Sequence, residues 1–362
     1  MAHTVVGLDI GMSGVRAAEF RLAARRKPHL RKFATCPLPE GAVSRGVVVD
    51  GAAVTEALRS LWSRGRFSTK TVVLGIANEG VLVRQMDLDW MPPADFRKAL
   101  RYQVAEALPV PVDEANLDYH LLEEIEVAGE VKGQTKRMNR ILLVAAAREV
   151  VDGYVMAAQS AGLRVARADL LPFALIRVAS PRSNANAPAE VIIDIGADTT
   201  SLVVHQGGRP AFVRMIPSTG SNTITKTLQD TYDWTWEEAE RSKIALGMGA
   251  LSAADPSAAA VAPHPAQQVI ADQARKLVSE VGATLDFFLG SSGGSTELSR
   301  VLLCGAGARL GGLAELFAEE LGLPVETLQP LRGIRASGRL AMDDDRCAQL
   351  SVSAGLCMGV PA

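Results

Sequence analysis

Two stretches of the chain carry the same acidic-glycine signature. VVGLDIGMSGVRAAEF runs from Val5 to Phe20, and VIIDIGADTTSLVV begins at Val191. Each reads as an apolar strand, then Asp-Ile-Gly, then small or hydroxylated residues, then a second apolar strand, with Asp9 and Asp194 at matching positions. The backbone N–H groups of such a turn can converge on an anion. Glycine at Gly11 and Gly196 lets the backbone come close to phosphate oxygens. An aspartate at the strand end can hold Mg²⁺ through the ion's waters. Ser13 in the first turn and Thr199 and Thr200 in the second add hydroxyls, and Arg16, on the return strand, can reach back to a phosphate. Two such hairpins face to face would clamp a triphosphate, with Asp9 and Asp194 sharing the metal and positioning water. One Asp-x-Gly is an ordinary β-turn. Two copies, each between apolar strands and one in each half of the chain, favour the clamp.

Two further elements are weaker alone. In VLLCGAGARLGGL, Val301 to Leu313, a buried strand opens into Gly305-Ala306-Gly307 and a helix follows. That small-residue turn lets a flat base lie on the backbone, although plain connections look the same. Glu240 and Lys243 stand three apart on a helix and share a face. They suit a ribose hydroxyl and a base edge, and equally a solvated ion pair.

The elements that must position these residues follow from periodicity. Val5–Ile10, Val15–Leu22 and Leu30–Leu38 read as a three-stranded meander. A helix capped by Asp50 places Val54, Leu58, Leu61 and Trp62 on one face. Thr71–Ala77 and Val81–Asp87 read as strands, and Pro92-Pro93 as a break. The spacing of Phe96, Leu100, Val104 and Leu108 predicts a helix over Ala94–Leu108. Strands are expected at Leu117–Glu126 and Ile141–Ala147 around a polar turn at Gly129–Asn139, then a helix near Val150–Ala161 closed by Gly162. This α+β stretch looks inserted. Ser180–Ala189 reads as a linker. Beyond it, helices are expected at Ser221–Thr231, Thr235–Ala245, Gln267–Leu289, Leu313–Leu321 and Ala348–Met358, with a strand at Arg300–Cys304. The low-complexity run from Gly249 reads as a mobile loop.

Composition narrows the classes. A chain of 362 residues is too long for one ordinary core. Hydrophobic content of 48% with 22% charged residues is globular. A formal net charge of −2 gives no bulk attraction to nucleic acid. Cys36, Cys304, Cys347 and Cys357 fit no metal spacing and read as reduced thiols in a reducing compartment. With no signal segment and no apolar run that could cross a bilayer, the expectation is a cytoplasmic protein, and any work at a membrane needs another molecule to hold it there.

The four elements, in this order and over nearly the whole chain, resemble the nucleotide site of the actin-like ATPase superfamily. The stretch PPADFRKALRYQVAEALPVPVDEANLDYHLLEE, followed by ILLVAAAREVVDGYVMAAQSAGLRVARADLLPFAL, is similar to the PilM family of type IV pilus biogenesis proteins. These are relatives of the cell-division protein FtsA. The resemblance implies an α/β, actin-like (ribonuclease H-like) two-lobed fold in which an SHS2-type α+β insert replaces one actin subdomain. The implied divisions are 1–80 for the first lobe, 81–168 for the insert, 169–189 for the return and linker, 190–330 for the second lobe and 331–362 for a C-terminal return.

By position, Asp9, Gly11, Ser13 and Arg16 match the first phosphate motif, and Asp194, Gly196, Thr199 and Thr200 the second. Glu240 and Lys243 match the ribose- and base-contacting helix, and Gly305, Gly307 and Arg309 the adenosine turn. The resemblance thus implies ATP with Mg²⁺ between the lobes. It also implies a groove between first lobe and insert for the N-terminal tail of a PilN-type inner-membrane protein, with Ala94–Leu108 its nearest neighbourhood. Contacts with other pilus platform proteins, and a peripheral place at the inner face of the cell membrane, follow from it.

Three departures stand out. Arg16 replaces the usual lysine, and the two are not equivalent at a phosphate. The adenosine turn has Ala308 where serine is usual, and Ala197 stands where actin has a second acidic residue. No group clearly suited to orienting a hydrolytic water is evident beyond Asp194 and Asp198. The expectation is an ATP-binding adaptor with slow or no hydrolysis. A small-molecule kinase, an FtsA-like polymer and a protein that binds no nucleotide remain alternatives.

Overall fold

A computed structural model describes residues 2–24, 26–128, 134–180, 186–249, 264–291, 296–338, 340 and 342–360. Residues 129–133 of the expected turn, residues 181–185 of the expected linker and nearly all of the low-complexity run from Gly249 lie outside the described residues. The chain divides into two compact units, Met1–Glu79 with Val155–Ala362, and Gly80–Tyr154.

The first unit opens with β1 (His3–Gly11), β2 (Gly14–Leu22) and β3 (His29–Pro37), then a two-residue pair, β4 (Val43–Ser44) and β5 (Val47–Val48). Helix α1 (Gly51–Gly65) starts where the Asp50 carboxylate accepts the Ala53 N–H at 2.9 Å, a cap worth about 1 kcal/mol. It buries Val54, Leu58 and Leu61, each contributing roughly 2 kcal/mol of apolar transfer. β6 (Thr71–Ile76) follows.

The second unit contains β7 (Leu82–Asp89), α2 (Pro93–Gln103), β8 (Ala115–Ala128) and β9 (Thr135–Ala147). The strand order is β7-β9-β8, antiparallel throughout. One face packs on α2 through Phe96, Leu100, Val104, Ile141 and Leu143. The helix expected to continue to Leu108 stops at Gln103 and tightens into a 3-10 turn at Ala105–Ala107. Residues 135–139 are strand rather than turn. Their charges are paired across the sheet: Lys136 with Asp89, Arg137 with Glu124. Arg140 forks onto Asp87 at 2.8 Å and reaches Glu123 at 2.7 Å. A strand exposed at one end looks like a polar turn in sequence.

Helix α3 (Arg148–Ser160) is followed by Gly162 at φ +80°. There the Leu163 N–H returns to the Ala158 carbonyl, closing the helix in a left-handed cap. β10 (Arg164–Leu170) and α4 (Leu171–Ala179), both missing from the sequence expectation, come next. The first sheet then reads β10-β6-β1-β2-β3, with a short sixth strand described below. The limit of 168 drawn for the insert falls within β10, which pairs parallel with β6 in this sheet.

The second sheet is built from β11 (Ala189–Ile195), β12 (Thr199–Gln206), β13 (Arg209–Pro217), β14 (Leu298–Cys304) and β15 (Val325–Thr327). Its helices are α5 (Ser221–Tyr232), α6 (Trp236–Leu246), α7 (Pro265–Ser291) and α8 (Leu313–Leu321). Its core brings Val191, Ile193 and Leu303 against Ile270, Leu277 and Phe317. The chain ends with β16 (Arg335–Ala336), which pairs with β3 in the first sheet, and α9 (Asp344–Met358), which packs on α4, β1 and β2.

The two sheets repeat one design. In the first, β1 lies between its antiparallel hairpin partner β2 and the parallel strand β6. In the second, β11 lies between its antiparallel partner β12 and the parallel strand β14. The order β10-β6-β1-β2-β3 is matched by β15-β14-β11-β12-β13. The paired Asp-Ile-Gly turns are therefore equivalent places in a duplicated half.

Candidate nucleotide site

Asp9 sits near the end of β1, directly opposite Arg16 on β2. Cross-strand partners in an antiparallel pair project to the same side, so the register alone brings acid and base together. Arg16 Nη1 lies 3.3 Å from Asp9 Oδ2 and 3.4 Å from the Gly14 carbonyl, and Nη2 donates to Ser13 Oγ at 2.8 Å. The arginine expected to reach toward a phosphate thus folds back over its own turn. Asp9 is 6% exposed. Burial raises its pKa, and the Arg16 charge and hydrogen bond oppose the rise.

Asp194 holds the equivalent place on β11, opposite Ser201 on β12. Its pKa is pushed up to about 6, first by burial and then by the negative charge of Asp9. The two carboxylates, 185 positions apart, therefore lie close enough to feel one another. The Cys304 thiol donates to Asp194 Oδ1 at 3.7 Å, and burial drives that thiol well above its ordinary pKa.

The Gly305 turn closes on the same carboxylate. Gly305 has φ +83°, and a Cβ there would sit 2.4 Å from the Ile195 carbonyl and 2.5 Å from Asp194 Oδ1. Only glycine fits. Gly307 is buried, and a Cβ on it would meet Ile195 Cγ2 at 2.5 Å and Ser221 Cβ at 3.1 Å. Arg309 is exposed at the end of the 3-10 turn Gly307–Arg309.

The second Asp-Ile-Gly turn is tied to the start of α5. The Ser221 and Asn222 N–H groups donate to the Gly196 and Ala197 carbonyls at 3.0 and 2.7 Å. Gly220 passes so close that a Cβ would lie 2.3 Å from the Asp198 nitrogen. Thr199 is half-buried. Thr200 is fully buried, and its hydroxyl donates to the Thr219 carbonyl at 2.8 Å. Adjacent strand residues face opposite sides, so the two threonines cannot both serve the turn. Thr200 is held in the structure of the sheet rather than at the carboxylates.

Lys243 and Glu240 are not a solvated surface pair. Lys243 is 5% exposed. Its ammonium meets Glu240 at 2.7 Å, Thr225 Oγ1 at 2.8 Å and the Ser221 carbonyl at 3.2 Å. Burial lowers its pKa and Glu240 opposes that. Ser221 thus links the Lys243 cluster to Gly307 and to the Gly196 turn. Ser221, Thr225, Gly220 and Cys304 were not singled out from sequence. The stretch Ser218-Thr219-Gly220-Ser221 before a helix was the available signal for two of them.

Among the described residues, no group of three or more His, Cys, Asp or Glu side chains is arranged to hold a metal ion. None of the described helices is long and apolar enough to cross a membrane.

Comparison with known proteins agrees with this architecture. The structure of a PilM–PilN type IV pilus biogenesis complex superposes with a TM-score of 0.80 at 23% identity, covering 98% of this chain and 97% of that one. MreB5 of Spiroplasma citri bound to AMPPNP matches with a TM-score of 0.51 at 14% identity, covering 98% and 95%. The cell division protein FtsA of Bacillus subtilis is 23% identical over 261 residues, which is 67% of this chain. The chain spans 58% of that protein's length. The fold is the α/β actin-like one, its duplicated sheets interrupted by an α+β insert. A family model matches from residue 7 to residue 359, and the chain belongs to the type IV pilus assembly protein PilM family.

Proposed function

We propose that the chain is a nucleotide-binding adaptor of a type IV pilus assembly platform, holding ATP with Mg²⁺ and docking the N-terminal tail of a PilN-type inner-membrane protein. The observation that carries the nucleotide reading is the convergence of Asp9 and Asp194 from two equivalent hairpins, with the Gly305 turn against the second. A buried carboxylate whose proton affinity is raised by a second carboxylate, as Asp194 is by Asp9, gains from a cation between them. The donor set fits an ion that keeps most of its waters and takes its other ligands from phosphate. Asp9 and Asp194 would hold that ion through water. Gly11, Ser13, Arg16, Gly196 and Thr199 would face the phosphates, and Gly305, Gly307 and Arg309 the adenosine. Glu240 and Lys243 would approach the ribose and base. The metal-nucleotide, when bound, supplies a polyanion and a neutralising cation that draw the two lobes together.

The adaptor reading is supported by family membership and by the resemblance in fold to a chain solved with PilN. Tail docking would bring the chain to the inner face of the membrane, and other platform proteins would then be within reach. Hydrolysis is expected to be slow or absent, since beyond Asp194 the second turn offers Asp198 as its sole additional acid.

Calorimetry of Mg-ATP binding tests the reading. Asp9→Ala and Asp194→Ala are each expected to weaken binding about a hundredfold or more, the scale of losing a buried charge contact. Undiminished affinity in both variants rejects the shared site. The same titration with a saturating PilN-type tail peptide reads the coupling, which must be reciprocal. Equal ATP affinity with and without peptide rejects an ATP-driven switch.

A further inference from the structure

We propose that Arg16 is a lock on the metal position: without nucleotide its guanidinium occupies Asp9, and a divalent cation enters only once a phosphate has drawn the arginine away. The inference rests on the nucleotide reading above and adds an order of binding to it.

The lock is built by register. Asp9 and Arg16 are direct cross-strand partners, so the pair forms as soon as the hairpin does. The fork then spans two jobs. One nitrogen, Nη1, pairs with Asp9 at 3.3 Å, and the other, Nη2, takes Ser13 Oγ at 2.8 Å. Between them the guanidinium lies on the turn itself, since a Cβ on Gly11 would come within 3.1 Å of Nη1. The side chains of Arg16 and Asp9 are only 16% and 8% exposed. The same group therefore covers the acid that would hold a metal and the glycine turn that would cradle a phosphate. A lysine, with one compact ammonium, could not hold both ends.

Charge sets the order. A hydrated dication approaching Asp9 meets a guanidinium already paired there and is repelled. A phosphate approaching the turn meets the same guanidinium and is attracted. Arg16 can exchange one carboxylate oxygen for phosphate oxygens with little loss, because both are charge-assisted acceptors. That exchange frees Asp9 for the ion. Nucleotide thus raises metal affinity, and by linkage metal raises nucleotide affinity by the same factor.

The test uses Mn²⁺ as the probe, followed by electron paramagnetic resonance on the full chain without nucleotide. Wild type is expected to bind Mn²⁺ weakly. Arg16→Gln should tighten it roughly tenfold or more, and adding Asp9→Asn to that variant should erase the gain. Arg16→Lys should fall between the two. Equal Mn²⁺ affinity in wild type and Arg16→Gln overturns the lock. Wild type alone supplies a second reading that needs no variant to fold: ATP titrated in EDTA must still bind, since phosphate comes first. ATP that binds with Mg²⁺ but not in EDTA overturns the order. Failure of ATP to bind under either condition rejects the nucleotide reading, while the nucleotide-free Mn²⁺ comparison still decides whether Arg16 shields Asp9.

Discussion

The two Asp-Ile-Gly hairpins share topology and position but not electrostatics. Asp9 comes with its own cation, Arg16, held by strand register. Asp194 is faced instead by a thiol and a glycine turn, and its partner across the hairpin is Ser201. Both acids have raised pKa values, yet only at Asp9 does a local arginine oppose burial directly through a hydrogen bond. Duplicating a fold thus repeats where a carboxylate points without repeating what neutralises it. One half contributes a buffered acid, the other an acid kept short of compensation, and the shortage favours an incoming cation.

The sharpest way to break the comparison is at Gly305, which exists only on the second side. Gly305→Ala must adopt φ +83° and push its Cβ into the Ile195 backbone carbonyl and the Asp194 carboxylate. The left-handed penalty and the forced backbone shift together are expected to cost about 2–5 kcal/mol. Urea unfolding would read the loss. Gly11→Ala, facing a flexible arginine end at 3.1 Å and the Gly14 carbonyl at an ordinary contact distance of 3.7 Å, should cost much less. Equal losses at the two sites would remove the asymmetry.

A second test exchanges acid for amide. The Asp194 pKa, about 6 when folded against 3.8 for the ordinary group, means the native state holds a proton that the unfolded chain has released. This group's contribution to stability is full below about pH 4 and is lost as pH rises to 6. Asp194→Asn should therefore stabilise the protein at pH 7 by about 1–3 kcal/mol, with the gain fading toward pH 4. Asp9→Asn should gain less, because it also gives up the Arg16 pair. Denaturant midpoints measured across that pH range would check both. A destabilised Asp194→Asn at pH 7 would show that the acid is already compensated. On the proposed nucleotide reading, the substitution that stabilises the fold should also harm nucleotide binding, as expected where a site is held under strain for function.

The legibility of these features follows their locality. The hairpins could be read because strand, turn and strand are contiguous, and α1 because Asp50 and the spacing of Val54 and Leu58 lie within two turns. The stretches that resemble the family's motifs were visible for the same reason. β10 was not visible: Arg164, Arg167 and Asp169 interrupt its apolar residues, and its pairing partner β6 lies far back in the chain. Lys243 was ambiguous because its burial depends on Ser221 and Thr225, which belong to another helix. Arg16 was placed near phosphate from its position, but its bond to Ser13 depends on side-chain conformation within the turn. Thr200 shows the opposite case. Alternation along a strand separates neighbours to opposite faces, so one of the two threonines was bound to face away.

The smallest expected effect, and the finest probe of the second hairpin, is at Cys304. Its thiol is a weak donor, and its bond to Asp194 Oδ1 works against the burial that raises that carboxylate's pKa. Cys304→Ala removes the donor, so the Asp194 titration should move upward from about 6. Cys304→Ser supplies a stronger donor of similar size, so the titration should move downward. Each change is expected to be worth under about 1 kcal/mol, the scale of a single weak hydrogen bond. Carboxyl carbon NMR across the pH range would resolve the two directions. Shifts of the same sign in both variants would mean that packing at Cys304, rather than its proton, sets the carboxylate. Asp9 should respond to neither substitution beyond its coupling to Asp194, since its own compensation comes from Arg16 on the other sheet.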